Sequence, residues 1–172
     1  MIKMETNEEY QEAEKAALRL VARAEQCSNG LSLKLKKRGF DDANISAVIT
    51  RLSALNLVND RRFAQLWLES HLRLATSPRR LLISLCGRGI DHDDAEAALK
   101  IVLDREAEQA LLLRCVRKYS HKTSRGNEEA DPGILPELRS IKYKLRNEGF
   151  SAFVIEWFFE EFLPNNKLCL SV

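Results

Sequence analysis

Apolar positions along this chain recur at spacings of three and four, and no segment alternates with the period of two that a half-buried strand requires. Three segments share one pattern: LKLKKRGF at 33–40, ISLCGRGI at 83–90 and YKLRNEGF at 143–150. Take Gly39, Gly89 and Gly149 as zero. Leu35, Leu85 and Leu145 stand four residues before, and Leu31, Leu81 and Ile141 eight before. Phe40, Ile90 and Phe150 follow directly. At +6, +9, +10 and +13 the first copy has Ile45, Val48, Ile49 and Leu52. The second has Ala95, Ala98, Leu99 and Val102, and the third Ile155, Phe158, Phe159 and Phe162. Such spacing puts the four on one helix face. Each copy therefore predicts a short helix, a glycine stop, an apolar plug, a turn and a second helix. Glycine is expected at the stop because the left-handed cap disfavours a side chain.

A longer helix is expected before each copy, near 10–26, 60–75 and 104–119. The first has Ala13, Ala17, Leu20 and Ala24 on one face. In the second, Phe63, Leu66, Trp67 and Leu74 form the expected stripe, which makes Phe63 and Trp67 core residues rather than stacking platforms. Ala107, Leu111, Arg114 and Cys115 mark the third. Ser28, Ser77 followed by Pro78, Asp42, Asp60, Asp91 and Ser151 are the expected helix starts. The polar stretch 120–136 reads as a loop, and 164–172 as a tail. The fold class is all-α: three tandem three-helix repeats, winged-helix-like or solenoid-like and elongated, at 1–57, 58–103 and 104–163. Each repeat has too few apolar residues to stand alone, so stacking is expected to supply the missing burial.

Charge adds a second pattern. The net +2 is distributed unevenly. Residues 1–30 carry −2, residues 31–90 carry +7, and residues 91–172 carry −3. The candidate contact residues for an anionic or acidic partner are Lys34, Lys37 and Arg38 in the first short helix, and Arg61, Arg62, Arg79, Arg80 and Arg88 in the next repeat. Lys142, Lys144 and Arg146 form a further cluster. Arginines at a helix start oppose the helix dipole, which favours a contact role for Arg61, Arg62, Arg79 and Arg80 over a helix-stabilising one.

Other chemistries find little support. Cys27, Cys86, Cys115 and Cys169 form no C-x-x-C pair, and the three histidines are scattered, so no zinc site is expected. Asp91-His92-Asp93-Asp94 point in different directions around a helix start, where carboxylates satisfy free N–H groups. Phosphate-loop, dinucleotide and nucleophile-elbow motifs are absent from the sequence. No enzyme, cofactor or metal is expected. No stretch reaches the roughly 20 apolar residues of a membrane span. The N-terminus is acidic and polar, unlike a signal peptide, which predicts a cytoplasmic protein.

The segment LNLVNDRRFA at 55–64 resembles the signature of the RecX family. SPRRLLISLCGRGI at 77–90 is similar to that family's arginine-leucine stretch. ALRLVARAEQCS at 17–28 and LKLKKRGF at 33–40 are similar to its first repeat, and LRNEGFS at 145–151 to its third. The likeness covers nearly all of 10–163. Asn56 stands where the family often has glycine, Ser84 and Cys86 replace more usual charged residues, and the insertion at 120–136 is longer than usual. The resemblance implies a monomeric regulator that binds RecA recombinase filaments on single- or double-stranded DNA. It implies damping of ATP hydrolysis, strand exchange and co-protease activity by contact alone, with roles in DNA repair, recombination and the SOS response. From the residues themselves two other readings stay open. One is a DNA-binding transcriptional regulator built from helix-turn-helix-like units. The other is a helical adaptor that touches no nucleic acid.

Overall fold

The computed structural model describes the backbone of residues 2–123 and 134–165, and the side chains of residues 8–118 and 141–164. Every regular element among the described residues is helical. In chain order they are α1 (Ile2–Val21), α2 (Ser28–Lys36), α3 (Asp42–Ala54), α4 (Asp60–His71), α5 (Pro78–Cys86), α6 (His92–Val102), α7 (Arg105–Thr123), α8 (Ile134–Asn147) and α9 (Ala152–Trp157). A π-helical turn (Phe158–Phe162) leads from α9 into α10 (Leu163–Asn165). A three-helix order occurs three times, the middle helix shorter than the one before it in each copy. Helices α7 and α8 extend into the expected loop at both ends, while 124–133 lie outside the described residues. Pro164 and Asn165, expected in the tail, are helical, and 166–172 lie outside the described residues.

The chain divides into two compact units, one of residues 1–67 with 84–98 and one of residues 68–83 with 99–172. In the first, Ala13 and Ala17 of α1, Leu31 and Leu35 of α2, and Ile45, Val48 and Leu52 of α3 form one buried cluster with Val58. In the second, Leu68, Leu81, Leu111, Leu112, Cys115, Leu145, Phe150, Val154, Ile155 and Phe158 are buried.

The repeat register is largely a burial register. Leu35, Leu85 and Leu145 are buried, as are Ile45, Val48, Leu52, Ala95, Ala98, Ile155 and Phe158. Gly39, Gly89 and Gly149 all have positive φ, near +91°, +83° and +85°. Each closes its short helix with the expected cap, in which the next N–H reaches back to the leucine carbonyl: Phe40 to Leu35, Ile90 to Leu85 and Phe150 to Leu145. Asn56 is the remaining residue of left-handed φ, +55°, among those described. Asparagine tolerates that conformation, so it ends α3 where a glycine is otherwise favoured.

Several expectations need correction. Ile141 is 40% exposed rather than buried like Leu31 and Leu81. On α4 the buried positions are Ala64 and Leu68, whereas Phe63 and Trp67 are half-buried and Leu66 exposed; Leu74, expected on the same stripe, lies past the end of the helix and is exposed. Residues 63, 64, 66, 67 and 68 are all apolar and cover most of the helix circumference, so periodicity alone selects no face. Phe63→Ala is accordingly expected to cost about 1–2 kcal/mol, below the roughly 3–5 of a full core phenylalanine. A denaturant titration showing the larger loss would restore Phe63 to the core.

The helix starts also shift. Asn59 accepts from the Arg62 N–H at 3.0 Å and caps α4, while Asp60 accepts from the Ser28 N–H at 2.7 Å at the start of α2. Cys27, not Ser28, caps α2, its Sγ accepting from the Gly30 N–H at 3.3 Å. Asp41, not Asp42, caps α3 by accepting from Asn44 N–H. Ser151 caps α9 as expected. After α9 the Leu163 N–H bonds to the Phe158 carbonyl. This wider turn fits the next residue, Pro164, which lacks an N–H to continue an α-helical ladder.

Burial pushes the Cys115 thiol up from 9.0 to about 11, against the opposing pull of nearby Lys118 and Arg114. The folded state thus holds its proton longer than the unfolded chain does. Its contribution is complete below about pH 9 and is lost as pH rises towards about 11. Cys115→Ala is expected to remove this component of the alkaline loss, read from denaturation midpoints across that window. An unchanged slope would contradict it.

Candidate partner-binding surface

The basic residues predicted from the sequence separate into structural and available groups. In the first unit, Arg62 donates to Glu25 at 2.8 Å and to the carbonyls of Asn56 at 3.1 Å and Leu57 at 3.4 Å. It therefore ties the α3–α4 connection to the end of the α1–α2 turn. Arg61 pairs with Asp94 at 2.7 Å, joining α4 to α6. Asp60 holds the α2 N–H and Ala64 is buried, so part of the segment 55–64 braces the first unit, while Leu55, Leu57 and Arg61 are exposed. Arg88 donates to the Ser84 carbonyl at 2.9 Å, and its guanidinium lies 4.6 Å over the Trp67 ring. Lys34 folds onto Gln26, with Nζ 2.5 Å from Oε1.

In the second unit Arg79 and Arg80 both face the end of α8. Arg79 donates to the Asn147 carbonyl at 3.2 Å, and Arg80 lies 3.8 Å from the Glu148 carboxylate. Lys142 sits 6.0 Å above the Phe159 ring. Lys144 and Arg146 are exposed along the last turn of α8. Among the described residues Lys37, Arg38 and Arg146 have no side-chain ion pair or hydrogen bond, which leaves their charge open to a partner.

Two features were not anticipated. Lys15 and Arg19 of α1 share an open concavity of about 360 Å³ with Arg38 and Phe40. Their i, i+4 spacing was visible, but they lie in the acidic first thirty residues, where net charge concealed them. A second concavity, of about 440 Å³, is lined by Gln26, Leu33, Lys34, Phe63 and Arg88 among others.

The short helices also share an outward register. Six residues before the capping glycines stand Leu33, Ile83 and Tyr143, exposed by 53, 60 and 69%. Scattered exposed leucines are ordinary. Large apolar side chains exposed at the same register of all three copies are a pattern.

Comparison with known proteins places this geometry. Residues 13–52 match the model of the RecX first three-helix domain, which covers α2, nearly all of α3 and the buried part of α1. The regulatory protein RecX of Treponema pallidum (strain Nichols) is 38% identical over 112 residues, covering 64% of this chain and 68% of that protein. That of Thermobifida fusca (strain YX) is 33% identical over 144 residues, covering 83% and 74%. The chain belongs to the RecX family.

RecX structures share its fold. RecX from Lactobacillus salivarius superposes with a TM-score of 0.69 at 22% identity, covering 90% of this chain and 97% of that one. In this RecX chain the cations fall into two groups with different expected behaviour. Lys37→Glu with Arg38→Glu should leave stability within about 0.5 kcal/mol, because the side chains are exposed and unpaired. Arg79→Glu with Arg80→Glu should destabilise by about 1 kcal/mol, because one new carboxylate meets the Asn147 carbonyl and the other the Glu148 carboxylate. Melting curves of the two double variants check this. Equal stability would mean that the α5–α8 contact carries no electrostatic weight.

Proposed function

We propose that this RecX-family regulator binds RecA filaments on DNA and damps recombinase, ATPase and co-protease activities. On this reading it acts by contact, as a cytoplasmic monomer with no catalytic step or cofactor. The three repeats at 1–57, 58–103 and 104–163 serve as three similar contact modules. The observation that carries the reading is the shared register of Leu33, Ile83 and Tyr143, exposed on helices whose leucines at −4 are buried. Three like contacts in one chain suit a partner that repeats itself, as a filament of identical protomers does. Linking weak contacts raises the overall affinity above that of any one of them. The open cations Lys37, Arg38 and Arg146 add attraction to an acidic protein surface or to phosphate.

Co-sedimentation with preformed RecA–DNA filaments, with naked single- and double-stranded DNA as controls, tests the proposal at two salt concentrations. Much tighter binding to filaments than to bare DNA is expected. Equal binding that falls steeply with salt would instead support a direct DNA binder. Binding to neither would leave an adaptor.

A further inference from the structure

The three glycine caps differ in what covers them. At the second, the start of α2 sits on the end of the α5 turn. Asn29 Nδ2 donates to the Arg88 carbonyl at 2.9 Å, and Cys27 Sγ reaches the same oxygen at 3.7 Å. Gly89 lies so close that a Cβ there would come within 2.5 Å of Asn29 Nδ2. Ile90, behind it, is buried.

At the third, the start of α5 sits on the end of α8 in the same way. The Arg79 N–H donates to the Glu148 carbonyl at 3.0 Å, and Ser77 Oγ donates to the Glu148 carboxylate. A Cβ on Gly149 would lie 3.2 Å from the Arg79 nitrogen, and Phe150 is buried. Counted from the glycines, residues 27 and 77 are equivalent, as are 29 and 79. Both caps are thus sockets for a helix N-terminus, with the carbonyl before the glycine as acceptor.

The first cap has the same backbone, but its socket is uncovered. Gly39 has φ +91°, and a Cβ there would meet nothing within 4 Å. Phe40 is only half-buried, unlike Ile90 and Phe150. The Arg38 carbonyl accepts no hydrogen bond among the described residues. Around it lie the exposed cations Lys15, Arg19 and Arg38, with Glu12 on the same rim.

We propose that Arg38, Gly39 and Phe40, rimmed by Lys15 and Arg19, form a docking socket for an α-helix N-terminus with an acidic first turn, presented by a partner protein. The two filled sockets establish what the backbone accepts. The charge presented at each cap differs: at the second, Arg88 turns onto Trp67 and α2 brings no acid in its first turn. Glu148 meets a helix beginning Pro-Arg-Arg, with Arg80 3.8 Å away. Arg38 and its basic rim invert that sign. Carboxylates are also the residues that a helix N-terminus itself favours. A nucleic-acid phosphate has acceptors only and leaves the Arg38 carbonyl unmet. A second copy fits poorly: α2 and α5, which fill the other sockets, have no acid in their first turns, and at the starts of α3, α4, α6 and α7 the carboxylates of Asp42, Asp60, Asp94 and Glu108 are already held by Lys36, the Ser28 N–H, Arg61 and Ser151.

The test needs no recombinase, so its failure is separable from failure of the filament reading. The ¹⁵N-labelled full chain is titrated with two alanine-based helical peptides of identical composition. One carries its carboxylates in the first turn and the other in the last. The first should shift the Arg19, Gly39 and Phe40 amides and half-saturate at a concentration roughly fivefold lower. Arg19→Glu with Arg38→Glu should abolish that preference while the spectrum stays dispersed, and Arg38→Gln gives the same reading more weakly should the double variant unfold. Equal response to both peptides, shifts confined elsewhere or no response at all would overturn the proposal. So would an equal response to oligothymidylate, or self-association through these residues.

Discussion

Gly89→Ala is expected to destabilise the protein by about 3 kcal/mol or more, against about 1–2 kcal/mol for Gly39→Ala. Both glycines have a positive φ, so both variants incur the left-handed penalty of an L side chain. They differ in what the new methyl meets. At Gly39 the space is open. At Gly89 the methyl would fall within 2.7 Å of the Cβ, Cγ and Nδ2 of Asn29. Asn29 cannot turn away at no cost, because its amide holds the Arg88 carbonyl. Either the α2–α5 contact opens or the backbone shifts, and overpacking adds roughly 1–3 kcal/mol to the conformational term. Equilibrium urea unfolding of both variants reads the difference. Asn29→Gly introduced beside Gly89→Ala should recover part of the loss, because it removes the Cβ as well as the amide that the new methyl meets. Equal destabilisation at the two glycines would mean that the contact between the start of α2 and the end of α5 does not contribute to stability.

The threefold repeat made most of the fold readable. Leucine at −4, glycine at zero and the +6 and +9 positions encode burial and capping through local spacing alone and occupy the expected environment, whereas at +10 and +13 Leu52 is buried and the other five residues are half-buried. Legibility ended where local spacing was degenerate. On α4 too many consecutive apolar residues concealed the Ala64–Leu68 face. Adjacent carboxylates or polar residues, such as Asp41 with Asp42 and Asn59 with Asp60, left the capping residue ambiguous by one position. The cations were least legible. Arginines at helix starts suggested contact with a partner, yet Arg61 and Arg62 are matched by Asp94 and Glu25, 33 and 37 residues away in the chain. Those pairings depend on tertiary placement, which no periodicity encodes. The same applies to Lys15 and Arg19, which join Arg38 around one concavity only after folding.

On the proposed reading, replacing Leu33, Ile83 and Tyr143 together by serine is expected to weaken filament binding by roughly a hundredfold while leaving the fold intact. All three side chains are more than half exposed in the free protein, so each replacement should change stability by no more than about 0.5 kcal/mol. Burying the exposed part of each against a partner contributes about 1 kcal/mol, a factor of roughly five per site. If the contacts act as linked weak sites, single variants should each lose that small factor and the triple variant approximately their product. Co-sedimentation across a protein titration, with circular dichroism on each variant, gives both quantities. A triple variant that binds filaments like the parent would remove the short-helix register from the contact surface. A single variant as weak as the triple would replace the distributed surface with one dominant contact. Losses at Leu33 alone would favour the first unit, where its neighbour Lys34 and the Phe63–Arg88 concavity adjoin it. Losses at Ile83 and Tyr143 alone would instead point to the second unit, which carries Arg146 and the exposed end of α8.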